Sequence, residues 1–335
     1  MVEKRGRMMR SQRIRFTVIA AFTIAMVFAL LPALAFAAEG SFERTLKVSG
    51  AVNLQVETGS GNIDIRTGDS SQVVVKARIK ASNWSGHDSE EKVKRLEANP
   101  PIMQSGNDIR IGHIDDPELR HNVSISYEVT VPQDTQLRSH TGSGNMVAGG
   151  IHGPAELSSG SGNVKVSDIG AGVRADTGSG NIDMDRIQGN VHAKTGSGTM
   201  HATAIAGGFD GDTGSGNLTL EQTESGSVHV NTGSGTLDVR GVKGSLEARA
   251  GSGNIRAEGE PTGAWTVHSG SGGVKLRFPA NAAFDLDART SSGSITVNHP
   301  LTVQGSIGKK QVRGKVLNGG VPVEVETGSG DVEIE

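Results

Sequence analysis

Apolar and polar residues alternate along most of the chain in short runs, as in Asn181-Ile182-Asp183-Met184-Asp185 and Asn190-Val191-His192-Ala193-Lys194. Alternation with period two turns one face of a strand inward and the other to solvent, so each run predicts a half-buried β-strand. Glycine-bearing turns separate the runs, and one recurs as a motif close to Thr-Gly-Ser-Gly-Asn. It begins at Thr58, Thr141, Ser159, Thr177, Thr195, Thr213, Thr232, Ala250, Ser269, Thr290 and Thr327. From Thr141 to Thr290 the spacings are 18, 18, 18, 18, 19, 18, 19 and 21 residues. A period held within one to three residues marks a solenoid whose insertions are confined to turns.

Aligned on the motif, the same columns stay apolar. Ile63/Ile65, Val164/Val166, Ile182/Met184 and Leu218/Leu220 follow it; Leu54/Val56, Val173/Ala175, Val191/Ala193 and Val228/Val230 precede it. The predicted fold class is therefore all-β: a parallel β-solenoid, β-helix-like, with two short strands per coil of about 18 residues. The corner glycines are expected to supply left-handed or crowded backbone. The Thr, Ser or Ala before each first Gly falls in the inward phase and predicts a ladder of hydroxyls bonded to corner backbone, with the Asn after the second Gly doing the same outside. Four residues before the first Gly, successive coils place Arg138, Glu156, Arg174, His192, Asp210, His229 and Glu247 in one outward column. Opposite charges on neighbouring rungs favour correct register.

Residues 80–140 interrupt the array. Asp88–Ala98 reads as a short helix with Asp88 or Ser89 as cap and Pro100-Pro101 beyond its end. Asp108–His113 and Ser124–Val131 read as strands. The division expected is a signal peptide or uncleaved anchor over 1–37, a solenoid start with a helix-bearing insertion over 38–140, and the repeat solenoid over 141–335. The last residues, Asp331-Val332-Glu333-Ile334-Glu335, predict a terminal strand whose three outward acids guard against end-to-end stacking.

The export reading rests on Lys4, Arg5, Arg7, Arg10, Arg13 and Arg15, followed by an uncharged stretch from Phe16 to Ala38 with the small-residue site Ala35-Phe36-Ala37. That stretch is also long enough to span a bilayer if it is retained. The first 37 residues hold six of the 33 Lys and Arg and one of the 36 acids, so the remainder is net −8. An acidic body argues against nucleic acid as partner, and leaves the N-terminal segment as the one route to a membrane. Cysteine is absent, which excludes disulfides, thiolate nucleophiles and Cys-ligated zinc. Eight Phe, two Trp and one Tyr exclude a broad aromatic platform for sugars or bases.

A signal peptide, the Ser-Glu-Glu helix followed by Gly106-Asn107-Asp108-Ile109-Arg110-Ile111, the strand Tyr127–Pro132 leading to Asp134-Thr135, and repeated Thr-Gly-Ser-Gly-Asn coils together resemble the bacterial putative-adhesin β-solenoid family, a domain of unknown function. The resemblance covers residues 46–335. It implies an exported or envelope-located β-solenoid and supplies no ligand or catalytic residue.

Three candidate chemistries compete with plainer readings. In a calcium-binding nonapeptide repeat the required Asp would fall at Ile182, an inward position. His192, Asp210 and His229 could clasp a divalent metal, but the same column continues with alternating sign through Glu247. The stretch Gly112–His121 holds His113, Asp115, Asp116 and His121, and paired carboxylates are what glycosidases use; polar turn residues around Pro117 account for it without chemistry. The expectation is thus a non-enzymatic exported solenoid, an adhesin or envelope interaction protein, with no catalytic, cofactor-binding or metal residues. Its expected partner is a cell-surface protein or glycan, and the chain is expected to be monomeric and located in the periplasm, in the envelope or outside the cell. The alternatives are an anchored envelope-stress sensor or regulatory scaffold, and a polysaccharide-active enzyme.

Overall fold

A computed structural model describes residues 37–82, 87–303, 308 and 310–335. The basic segment and the apolar stretch read as an export signal lie outside the described residues, except Ala37 and Ala38, which begin the first strand. Everything described is all-β apart from a helix at His87–Ala98 and a single helical turn at Pro117–Arg120. The strands form one continuous hydrogen-bonded sheet.

Strands two apart in the chain pair in parallel. Val173–Thr177 lies between Ala155–Ser159 and Val191–Thr195, with Val173 level with Ala155 and Val191. Ile182–Ile187 lies likewise between Val164–Ile169 and Met200–Ile205. Two ladders result: a first, built from strands preceding the motif, and a second, built from strands following it. Their inward columns are closed to solvent, for example Val164, Val166, Ile182, Met184, Ala193 and Leu220. The filling is aliphatic through the middle. Phe209 fits there because Gly211 faces it, where an added Cβ would lie 2.5 Å from the ring.

The hydroxyl ladder forms as the sequence predicts. Thr195 Oγ1 donates to the Gly180 carbonyl at 2.8 Å and accepts from Gly198 N–H at 3.1 Å. Ser159, Thr177, Thr213, Thr232 and Ser269 repeat both bonds. Outside, Asn145, Asn163 and Asn181 each accept from an amide one coil on, at 2.8–2.9 Å. The glycines' role differs in part from the expectation. In the coils after Thr141 no motif glycine has positive φ, and left-handed residues sit instead at the other corner, at Gly150, Asp168, Arg186, Ala204 and Gly241. Crowding is what requires glycine at the motif: a Cβ on Gly196 would lie 2.4 Å from the Gly178 carbonyl oxygen, and one on Gly198 1.9 Å from that of Gly180.

At both ends, spatial order departs from chain order. Val52–Thr58 is held between Asp108–Ile111 and Thr135–Thr141, and Ile63–Thr67 between Val123–Val131 and Met146–Gly149. At the other end, Val321–Thr327 is inserted between the end of Ile255–Ser269 and Phe284–Thr290. Val332–Ile334 is inserted between Val274–Arg277 and Ile295–Val297. The expectation that the final acids guard an exposed edge is therefore corrected. The strand is interior to its ladder, with Val332 and Ile334 buried, and Glu333 and Glu335 contact Lys275 at 3.2 and 2.8 Å. Antiparallel pairings close the stack at each end: Ala37–Lys47 on Gln72–Ser82, Ile102–Ser105 on Asp108–Ile111, and Gln311–Val316 on Phe284–Thr290.

Candidate functional site

The outward column of the first ladder lines an open trough of about 850 Å³ running along the stack. Parallel pairing sets its residues in register: Arg138 beside Glu156, Glu156 beside Arg174, Arg174 beside His192, His192 beside Asp210, and Asp210 beside His229. Neighbouring rungs lie about 4.8 Å apart. The trough exists because the column two residues earlier is small or polar, with Pro154, Gly172, Asn190, Gly208 and Ser227 leaving its flank low.

Within the column the charges resolve into pairs. Arg138 Nε lies 3.6 Å from Glu156 Oε2, His192 Nδ1 2.8 Å from Asp210 Oδ2, and His229 Nδ1 3.0 Å from Glu247 Oε2. His229 Nε2 accepts from Asn231 Nδ2 at 2.9 Å, so both ring nitrogens are occupied. The metal clasp weighed for His192, Asp210 and His229 thus separates into independent contacts, and among the described residues no group of three or more metal-ligating side chains gathers.

The loop after Gly112 does not converge its carboxylates. Asp116 caps the turn Pro117–Arg120, accepting from Glu118 N–H at 2.9 Å, and also receives Arg95 Nη2 at 2.9 Å. The capping amide, with Arg95, holds the Asp116 carboxyl below its ordinary value. Asp115 is almost fully exposed and touches His113 Nε2 at 3.1 Å, while His113 Nδ1 meets Glu57 Oε1 at 2.7 Å. Bonding to Glu57 raises the His113 pKa. In this arrangement Asp116 caps the turn and pairs with Arg95, while Asp115 and Glu57 flank His113.

Two residues of the trough escape the sequence reading. Because Val52–Thr58 and Asp108–Ile111 stack beyond Thr135–Thr141, Gln55 lies level with Arg138, and Arg110 level with Gln55. The column therefore continues past Arg138 into a second hollow of about 720 Å³. The signal available in the sequence was the 83-residue gap between the motifs at Thr58 and Thr141, which shows that something intervenes but not in which order it stacks.

A family model matches residues 51–335, the whole stack except its outermost N-terminal strand. The chain belongs to the Toastrack DUF4097 family. No curated protein matches it. Three solved structures similar to this Toastrack chain are a putative lipid binding protein from Parabacteroides distasonis (12% identity, 88% of this chain and 97% of that one, TM-score 0.39), a putative adhesin from the same organism (12%, 88% and 97%, 0.37) and a putative adhesin from Bacteroides fragilis (11%, 88% and 97%, 0.31).

Proposed function

We propose that the chain is a non-enzymatic, exported β-solenoid of the cell envelope that binds a surface protein or glycan along the first-ladder trough. The observation that carries this reading is the trough itself. It offers one polar or charged side chain per rung across at least six rungs, from Arg138 to His229, in fixed register. Many weak contacts repeated at one spacing suit an extended partner, because each added contact is made at high effective concentration. Export is supported by the basic residues Lys4–Arg15, the apolar stretch and the Ala35-Phe36-Ala37 site. An anchored envelope sensor would use the same surface and differ in keeping that segment.

The test is to replace Arg174, His192 and Asp210 singly and together, and to measure retention on immobilised envelope polysaccharide and surface-protein fractions. Stepwise loss with unchanged melting temperature is expected. Retention unaffected by the triple variant would sink the proposal. So would turnover of an envelope glycan that Asp115→Asn or Asp116→Asn abolishes.

A further inference from the structure

The geometry points to a ligand class for the N-terminal part of this trough: a linear acidic glycan carrying one carboxylate per disaccharide repeat. The inference rests on the binder reading above and adds charge and spacing to it. In register the column runs Arg110, Gln55, Arg138, Glu156, Arg174. Arginines thus occupy alternate rungs, about 9.6 Å apart at 4.8 Å per rung, a separation of the order of one disaccharide repeat. Chain order hides this pattern, since Arg110 and Gln55 reach the column only because their coils stack out of sequence.

The three guanidiniums differ in how far they are engaged. Arg110 forms no ion pair among the described residues, and Arg138 holds Glu156 only at 3.6 Å with most of its side chain exposed. Arg174 is turned along its own strand to Asp176 at 2.9 Å. The acids nearby have partners: Asp108 accepts from Asn53 Nδ2 at 2.7 Å, Glu57 is bonded to His113, and Glu156, the rung between Arg138 and Arg174, faces Arg138 at 3.6 Å. Beside Arg110 and Arg138 the hollow presents the amides of Gln55 and Gln136, and the antiparallel strand Ile102–Ser105 walls it, with Met103 half-exposed. The hollow thus carries two arginines to one lining acid, Asp108, and is rich in amide donors, on a chain that is net −8 outside its first 37 residues. Guanidinium forks bind carboxylates with two parallel hydrogen bonds.

A polymer fits better than a small anion, because the hollow shares Gln136 and Arg138 with the longer trough and runs into it. Nucleic acid lacks the stacking platform it would need. A bilayer would meet the walls of the channel before its floor, and its anchoring calls for a dense basic cluster.

The test uses the full chain and a hyaluronan decasaccharide, which carries one carboxylate per disaccharide, followed by calorimetry. Its carboxyl-reduced counterpart and phosphatidylglycerol vesicles serve as comparison arms. The acidic decasaccharide is expected to bind with salt-sensitive affinity. Arg110→Gln and Arg138→Gln should each weaken it about tenfold and the double variant should abolish it, whereas Arg256→Gln, on the other ladder, should leave it unchanged. Melting curves check that each variant is folded. Equal binding of the carboxyl-reduced sugar by wild type and Arg110→Gln would overturn the charge-based inference while leaving a glycan binder. Binding to vesicles alone would also overturn it, in favour of a lipid surface. No retention of any sugar or envelope protein by the folded chain would overturn both this inference and the function on which it rests.

Discussion

The middle of the stack and its two ends use the same corner chemistry over very different lengths of chain. In the middle, each hydroxyl reaches the carbonyl of a glycine 15 or 16 residues back, as Thr177 does to Gly162 and Thr232 to Gly216. At the ends the same bond spans 80 residues from Thr141 to Gly61, 40 from Thr290 to Gly330 and 55 from Thr327 to Gly272. The corner therefore accepts any coil that presents the motif and does not itself specify which comes next. Order in the middle follows from the short connection, which costs little loop entropy. At the ends it must come from elsewhere: ion pairs, matched aromatic volume and antiparallel caps. The aromatic residues are placed accordingly, with Phe42 against Tyr127 at one end and Phe278 between Trp265 and Phe284 at the other, at centroid distances of 4.9 and 4.6 Å.

The sharpest way to break this comparison is to remove the inserted coil. Deleting residues 321–335 takes out Val323, Val325, Val332 and Ile334, all essentially fully buried, each contributing about 1.5–3 kcal/mol. It also parts the strands on either side. Hydrogen exchange should show the segment after Ser269 losing protection as one unit while the rungs from Ser159 to Thr232 keep theirs, since repeat arrays are stabilised through nearest neighbours. Uniform loss along the whole stack would show that middle and ends are a single cooperative unit.

Next in size is a corner in the middle. Gly196→Val forces a side chain against the Gly178 carbonyl and should lower stability by more than about 3 kcal/mol. Lys194→Ala, two residues earlier on the exposed face, should cost well under ~1 kcal/mol. Equal melting temperatures for the two variants would refute the crowding argument.

The N-terminal end should carry a pH response on the alkaline side that the C-terminal insertion lacks, on top of the acid-side response that depressed carboxyls give both ends. Hydrogen bonds from Lys275 and then Arg277 lower the Glu335 pKa to about 2, and Ser294 lowers that of Asp331. A carboxyl depressed in the folded state stabilises above its unfolded pKa, and that contribution is lost as pH falls through the folded value. The C-terminal insertion should therefore loosen between about pH 4.5 and pH 2. His113 is raised by Glu57, so its contribution at the N-terminal end is complete below its unfolded pKa of about 6.5 and lost as pH rises through the folded value. Local exchange rates measured across pH check both. Loss of C-terminal protection on the alkaline side alone would contradict the assignment.

What the sequence disclosed, and what it hid, follows the same division. Alternation and motif spacing disclosed the inward columns, the hydroxyl and Asn ladders and the outward charges from Arg138 to Glu247, because these depend on contacts one period away. The insertions were hidden because parallel strands pair equally well with any coil in phase. The 21-residue step before Thr290 and the 37-residue step to Thr327 were the marks they left. The trough was half legible for that reason: Arg138, Glu156, Arg174 and His192 lie one period apart, whereas Arg110 joins them through a pairing between residues 55 residues distant in the chain, Gln55 and Arg110.

The smallest expected effect tests the corner rule at its one gap in the middle. Ala250 stands where its neighbours Thr232 and Ser269 carry hydroxyls, and it is buried. By the pattern of those neighbours, a hydroxyl there would donate to the Gly235 carbonyl and accept from Gly253 N–H. Ser already occupies the column at 159 and 269, so the replacement fits an inward site of known size. Ala250→Ser should raise stability by roughly 0.5–1.5 kcal/mol, the net worth of a hydrogen bond made in a buried setting. Thr195→Val, which removes the two bonds made at that corner, should lower it by about 1–3 kcal/mol because a buried donor and acceptor are left unpaired. Denaturant midpoints compared with wild type decide the matter. A destabilised Ala250→Ser alongside an unaffected Thr195→Val would mean that shape at the corner, and not the hydroxyl bonds, holds one coil on the next.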